Sequence, residues 1–125
     1  RVATARGEIR MAKETLRSIR RDEITKGNVL ATARIAGIQA AKRTGDLIPM
    51  CHPLPINHCE VEFEFPKAKN AIVITATAKV AAQTGVEMEA LTAVNLAALT
   101  IYDMCKAVDK KMSITNVKLV SKTKQ

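Results

Sequence analysis

The sequence predicts an α+β fold of the ferredoxin-like plait type, an antiparallel four-stranded sheet with helices packed on one face. Three observations lead there. Strand-like and helix-like periodicities follow one another in the order β-α-α-β-β-α-β. Two period-two runs, His58 to Phe65 and Ala71 to Ala82, are joined by the hairpin-length turn Pro66 to Asn70. The longest helical pattern, residues 87–108, follows the second run and precedes a closing strand.

Each element has its own local signal. Arg1 to Met11 alternates with period two and reads as a strand. Residues 12–21 read as a short surface helix with Leu16 and Ile19 facing inward. Thr25-Lys-Gly-Asn28 is a turn, and Asn28 is placed to cap the helix that follows. From Val29 to about Arg43 the run of Ala, Arg, Ile and Gln is helical, and Gly37 among the alanines predicts close packing. Leu47 to Ile56 carries Pro49, Pro53 and Pro55, which excludes regular structure. Met112 to Lys122 closes the chain as a strand, with a bulge expected near Asn116. No repeat or linker interrupts this order, so residues 1–125 are expected to form a single domain.

Composition narrows the function classes. The apolar fraction of 47% and charged fraction of 26% are those of an ordinary globule. No run of about 18 apolar residues exists, so no membrane partner is expected. The chain opens on Arg1, without a signal-peptide pattern and already inside a strand, and residues before it are expected. An odd set of cysteines, Cys51, Cys59 and Cys105, argues for a reducing, cytoplasmic setting. The net charge of +8 calls for a polyanion or a phosphate-rich ligand. Nucleic acid is the general default, yet Phe63, Phe65 and Tyr102 are too few to form a stacking platform for single strands. A duplex reader working through the backbone alone stays open. A small, multiply charged anion fits at least as well.

Asp103 and Lys106 lie three apart on the longest helix, on one face and within a turn. One reading is a surface salt bridge of little energetic weight. The other starts from the neighbours Tyr102, Met104, Cys105, Ala107 and Val108, which predict a partly buried pair able to exchange a proton. An aspartate alone favours the charged lysine, so a useful base needs further positive charge or desolvation around the lysine, and the surplus of lysines supplies candidates. Glu89 shares the stripe 89, 92, 96, 99, 103 and 106. Fourteen residues separate it from Asp103, roughly 21 Å of helix. The two cannot meet in one chain, which points to sites built between subunits.

Other signals are weaker. His52 precedes Pro53, which restricts its backbone and suits ligand contact or proton transfer; a loop histidine that merely caps a carbonyl is the plain alternative. Cys51-His52 and His58-Cys59 form a mirrored set, but the spacing is not that of a zinc finger or ribbon. Adjacent strand residues also point to opposite faces, and no metal is expected. Lys26-Gly27 before a helix resembles a minimal anion site without the glycine-rich loop of a true phosphate-binding loop. Met50, Met88, Met104 and Met112 read as core filler.

Four segments carry a family likeness. Ala31-Thr-Ala-Arg-Ile-Ala-Gly-Ile-Gln-Ala-Ala-Lys-Arg-Thr44 is the first, and Asp46-Leu-Ile-Pro-Met-Cys-His-Pro-Leu54 the second. Thr84-Gly-Val-Glu-Met-Glu-Ala-Leu-Thr-Ala93 and Ala97-Ala-Leu-Thr-Ile-Tyr-Asp-Met-Cys-Lys-Ala-Val108 complete the set. Together they resemble the molybdenum cofactor biosynthesis protein C family, the cyclic pyranopterin monophosphate synthases, over essentially the whole chain. The resemblance implies a lyase that converts 3′,8-cyclo-7,8-dihydroguanosine 5′-triphosphate to cyclic pyranopterin monophosphate with release of pyrophosphate. It implies Asp103 and Lys106 as the acid/base pair. Substrate contacts are implied for Lys26, for Cys51 and His52 of the Cys-His-Pro loop, and for Glu87, Glu89, Lys122 and Arg1. It also implies a homohexamer, a trimer of dimers with sites at the dimer interface. No resident cofactor is implied, a divalent ion with the triphosphate aside. The chain departs from the family where its tail reads Lys122-Thr-Lys-Gln125 instead of Lys-Ser-Gly-Gly, which weakens the Lys122 assignment. An Asp-Val-Ser-like segment before Arg1 is also absent, and Gly45 stands where members often carry a larger residue, a difference expected to be neutral. The partner implied is a small-molecule substrate and no nucleic acid; two other functions stay in view as alternatives, a nucleic-acid-binding plait and a nucleotide-sensing oligomer without turnover.

Overall fold

The structure is a computed structural model and describes residues 1–124. β1 (Val2–Arg10) leads into α1 (Lys13–Arg20), α2 (Val29–Lys42) and the one-turn α3 (Thr44–Leu47). β2 (Ile56–Glu64), β3 (Ala71–Val80), α4 (Glu87–Cys105) and β4 (Ser113–Thr123) follow. The strands lie in the order β2-β3-β1-β4, every neighbour antiparallel. This is the expected plait.

Alternation along the strands decides which face is covered. Ala3, Ala5 and Ile9 of β1, Val61 of β2, and Ile72, Ile74, Ala76 and Ala78 of β3 are buried. Above them lie α2 and α4, whose buried positions are mostly alanine: Ala33, Ala40 and Ala41 on α2, Ala90, Ala93, Ala97 and Ala98 on α4. Small side chains let the two helices approach each other and the sheet closely. Gly37 is a point of close approach between them. A Cβ there would stand 2.9 Å from the Ala93 carbonyl oxygen and 3.2 Å from Val61 Cγ2.

Most local signals hold, with adjustments at element ends; of the methionines expected in the core, Met104 and Met112 are buried, but Met50 and Met88 are exposed. Asn28 caps α2, its Oδ1 accepting from the Ala31 N–H at 2.9 Å. Asn116 has a φ of +54° and sits where the β1–β4 register shifts, which is the expected bulge. β2 starts at Ile56, two residues earlier than expected, and Leu47 closes α3. The expected helix over 87–108 ends at Cys105 instead. The N–H groups of Val108 and Asp109 both donate to the Cys105 carbonyl, and Asp109 turns back toward α1. Its carboxylate, 6% exposed, accepts from the Ala12 N–H, the Thr15 hydroxyl and the Lys111 N–H. Burial alone pushes the Asp109 carboxyl up, but these three donors outweigh it and hold it below the usual range.

On the uncovered face, Glu8 is buried and takes Lys69 Nζ at 2.8 Å and Asn116 Nδ2 at 3.1 Å. These bonds, Lys69 first, hold its carboxyl below the ordinary range. They tie the bulge to the β2–β3 turn. At the β2 edge, Arg34 Nε donates to the Val61 carbonyl at 2.9 Å, and its guanidinium lies 5.3 Å from the Phe63 ring centre.

Gly37→Ala is expected to destabilise the fold by about 1–3 kcal/mol, because a methyl cannot displace a backbone carbonyl. Urea unfolding should show a lower midpoint with an unchanged slope.

Candidate active site

Lys26, Asp103 and Lys106 come together where the C-terminal end of α4 meets the turn before α2. Lys106 Nζ is 2.9 Å from Asp103 Oδ1, and Lys26 Nζ is 3.0 Å from Oδ2. Lys26 also donates to the Asp103 carbonyl at 3.3 Å, one of the acceptors a helix end leaves unpaired. Both ammonium groups, Lys106 first, hold the Asp103 carboxyl below the usual aspartate range. Lys26 thus brings a second positive charge to the Asp103–Lys106 pair.

The expected partial burial of this pair is not observed. Asp103 and Lys106 side chains are 54% and 57% exposed. The apolar neighbours Met104 and Cys105 turn into the core, while 103 and 106 face the other way on the helix. Such an exposed cluster adds little to stability. Its significance is the geometry, one carboxylate gripped by two cations.

At the other end of α4 a second group forms. Arg1, Lys122 and Glu87 line a cleft of about 330 Å³ together with Thr123 and Lys124. The β1–β3 ladder reaches Arg1, whose backbone N and O both bond to Val80 at 3.0 Å. Lys122 pairs with Ala3 in the β1–β4 register. Arg1 also borders a neighbouring cleft of about 560 Å³, with Asn57, Lys79 and Gln83. Lys124, Lys79 and Asn57 escaped the sequence reading. The period of two that places Lys124 on the face of Lys122 is a signal that finds the first of them.

Glu89 does not line that cleft. It is buried, and burial, with smaller help from the charge of Glu87, pushes its carboxyl up. A carboxyl of this kind retains a proton at higher pH than an exposed one. Cys51 and His52 lie in the irregular segment before β2, His52 exposed and Cys51 half-buried. Ile56 pairs with Val80, so this segment feeds into the sheet end that carries Arg1. Among the described residues the His52 side chain makes no hydrogen bond or ion pair to either group. Gly45 is not a neutral difference: a Cβ there would stand 2.8 Å from Pro53 N, so its absence lets the segment fold onto α3.

The predicted residues therefore divide. Lys26, Asp103 and Lys106 sit at one end of the 19-residue α4 and Arg1, Lys122 and Glu87 at the other, about 28 Å apart along the helix. Of the cations implied as substrate contacts, Lys26 does not join Lys122 and Arg1 in one cradle within a chain.

The profile of the MoaC family matches residues 1–125. A cyclic pyranopterin monophosphate synthase of Clostridium perfringens (strain SM101 / Type A) is 57% identical over 122 residues, 98% of this chain and 77% of the relative. One from Roseiflexus sp. (strain RS-1) is 56% identical over 123 residues, covering 98% and 78%. One from Desulforapulum autotrophicum is 59% identical over 123 residues, covering 98% and 76%.

Lys26→Met should let the Asp103 carboxyl pKa rise toward the ordinary aspartate range, because one of its two stabilising cations is gone. A carbon-13 NMR titration of the side-chain carboxyls reads this directly.

Proposed function

The chain belongs to the MoaC family, and from that premise we propose that it converts 3′,8-cyclo-7,8-dihydroguanosine 5′-triphosphate to cyclic pyranopterin monophosphate, releasing pyrophosphate. It is a lyase of molybdenum cofactor biosynthesis. The observation that carries the reading is the contact of Lys26 and Lys106 with the single carboxylate of Asp103.

Rebuilding a purine into a pterin moves protons, and closing a cyclic phosphate expels a charged leaving group. Lys106 and Asp103 are the proton-moving pair, their polar atoms in contact and open to a ligand. Lys26 holds the carboxylate in place and brings positive charge to the reacting region. Arg1 and Lys122, with Lys124 beside them, bind the triphosphate by charge. Glu87 borders that cleft, Glu89 is positioned to hold a proton, and His52 and Cys51 act from the proline-rich segment as substrate contacts. Lysine and arginine supply the cations this chemistry needs, so no resident cofactor enters the proposal; a divalent ion, where one accompanies the triphosphate, belongs to the substrate.

One chain cannot present both groups to one substrate. A complete site takes the Asp103 end of α4 from one copy and the Arg1 end from another, which favours a symmetric oligomer with sites at the interface of paired chains. A hexamer built as a trimer of dimers satisfies this requirement. No helix among the described residues is long and apolar enough to cross a membrane, and the proposed setting is the cytoplasm.

Lys106→Ala should lower pyrophosphate release from the cyclised nucleotide by about 10²–10⁴-fold with the oligomer intact. Near-normal turnover removes the assignment, and a wild-type chain that binds the nucleotide without releasing pyrophosphate is a sensor instead of an enzyme. Mixing Lys106→Ala with Lys122→Ala chains should restore up to about a quarter of wild-type activity, since mixed pairs regain one intact site. No recovery after verified subunit exchange places both groups in separate functions.

A further inference from the structure

Away from both groups, α1 and the β2–β3 turn enclose a groove of about 390 Å³ that shares no lining residue with either. Lys13, Arg17 and Arg20 line it from α1, Arg21 from the residue that closes that helix, and Lys67 and Lys69 from the turn. Its apolar lining comes from Leu16, Phe65 and Pro66. Positions 13, 17, 20 and 21 recur at helical spacing, so one face of α1 is basic along its whole length, about 12 Å.

Two of these cations are occupied. Lys69 holds Glu8 at 2.8 Å, and the Arg20 guanidinium lies 4.6 Å from the Phe65 ring centre. Lys13, Arg17, Arg21 and Lys67 make no ion pair among the described residues. Like charges at the i and i+4 spacing, Lys13 with Arg17 and Arg17 with Arg21, repel and weaken a short helix. Arg17 and Arg20 sit in the last turn, where the helix dipole favours cations. Yet none of Lys13, Arg17, Arg21 and Lys67 has an acidic partner among the described residues, so the groove is open to an external anion.

The surroundings select the kind of anion. Arg20 already covers a face of Phe65, which disfavours base stacking. The exposed Glu60, Glu62 and Glu64 of β2 alternate with Phe63 and Phe65 and lie on the opposite face of the strand. The carboxylates that border the groove are therefore Asp22 and Glu23, exposed just after α1. A polyanion extending beyond the groove, such as a duplex or a lipid surface, meets these carboxylates and is repelled. A short acidic stretch does not. The apolar lining gives such a stretch a place for one hydrophobic side chain.

We propose that this groove docks a short acidic, partly apolar segment of a partner protein. The surface is separate from the substrate groups, so the inference stands or falls independently of the proposed reaction.

The test uses the intact oligomer and a dye-labelled peptide, Glu-Glu-Leu-Glu-Glu-Phe-Asp-Glu, followed by fluorescence anisotropy at two salt concentrations. Binding should weaken at least about tenfold in the double variant Arg17→Glu, Arg21→Glu, and separately in Lys67→Glu, with pyrophosphate release unchanged. An all-glutamate peptide of equal length should bind about tenfold more weakly, since it leaves the apolar lining empty. Equal binding by the variants, by the all-glutamate peptide, by a short DNA duplex or by anionic vesicles overturns the proposal. So does the absence of peptide binding to the wild-type oligomer.

Discussion

The seating of α4 on the sheet is the constraint from which the site follows. Alanines at positions 90, 93, 97 and 98 bury this helix against the strands, and Gly37 lets α2 press against it at Ala93. A helix packed this way acts as a rigid strut, because its rise per residue is fixed. One end receives Lys26 from the turn before α2. The other faces the sheet end where β1 and β3 are locked through Arg1 and Val80. No side-chain rearrangement brings the two ends together, so the division of chemical groups is built into the backbone.

Much of the fold was legible because its signals are local. The period-two runs, the Asn28 cap and the bulge at Asn116 each depend on a few neighbouring residues. Element ends were less legible where a distant partner decides them. Asp109 ends α4 because it turns to the start of α1, and nothing adjacent in sequence announces that contact. The site shows the same split. The i, i+3 spacing gave the contact of Asp103 with Lys106, whereas the arrival of Lys26 on the same carboxylate spans 77 positions. Apolar neighbours in sequence suggested burial of the pair, but on a helix adjacent residues point in different directions, so they report on another face.

The distribution of charge gives the excess of cations a structural meaning. They are gathered at particular places: around Asp103, around the Arg1 cleft and along α1. Carboxylates inside the fold serve different ends. Glu8 and Asp109 are saturated with donors and hold elements together, while Glu89 is buried on α4 and kept toward its neutral form. The same functional group thus leans toward its charged or its neutral form, according to how many donors surround it.

The contact of Arg34 with β2 has a consequence for solubility. An edge strand offers unpaired backbone groups to any passing chain, and that is how sheets recruit strangers and grow into fibres. Here a guanidinium takes up the Val61 carbonyl and rests against Phe63, while alternating glutamates on the same strand repel a like edge. β2, one of the two edge strands, thus carries two of the devices by which sheets discourage templated growth, an occupied carbonyl and a row of like charges.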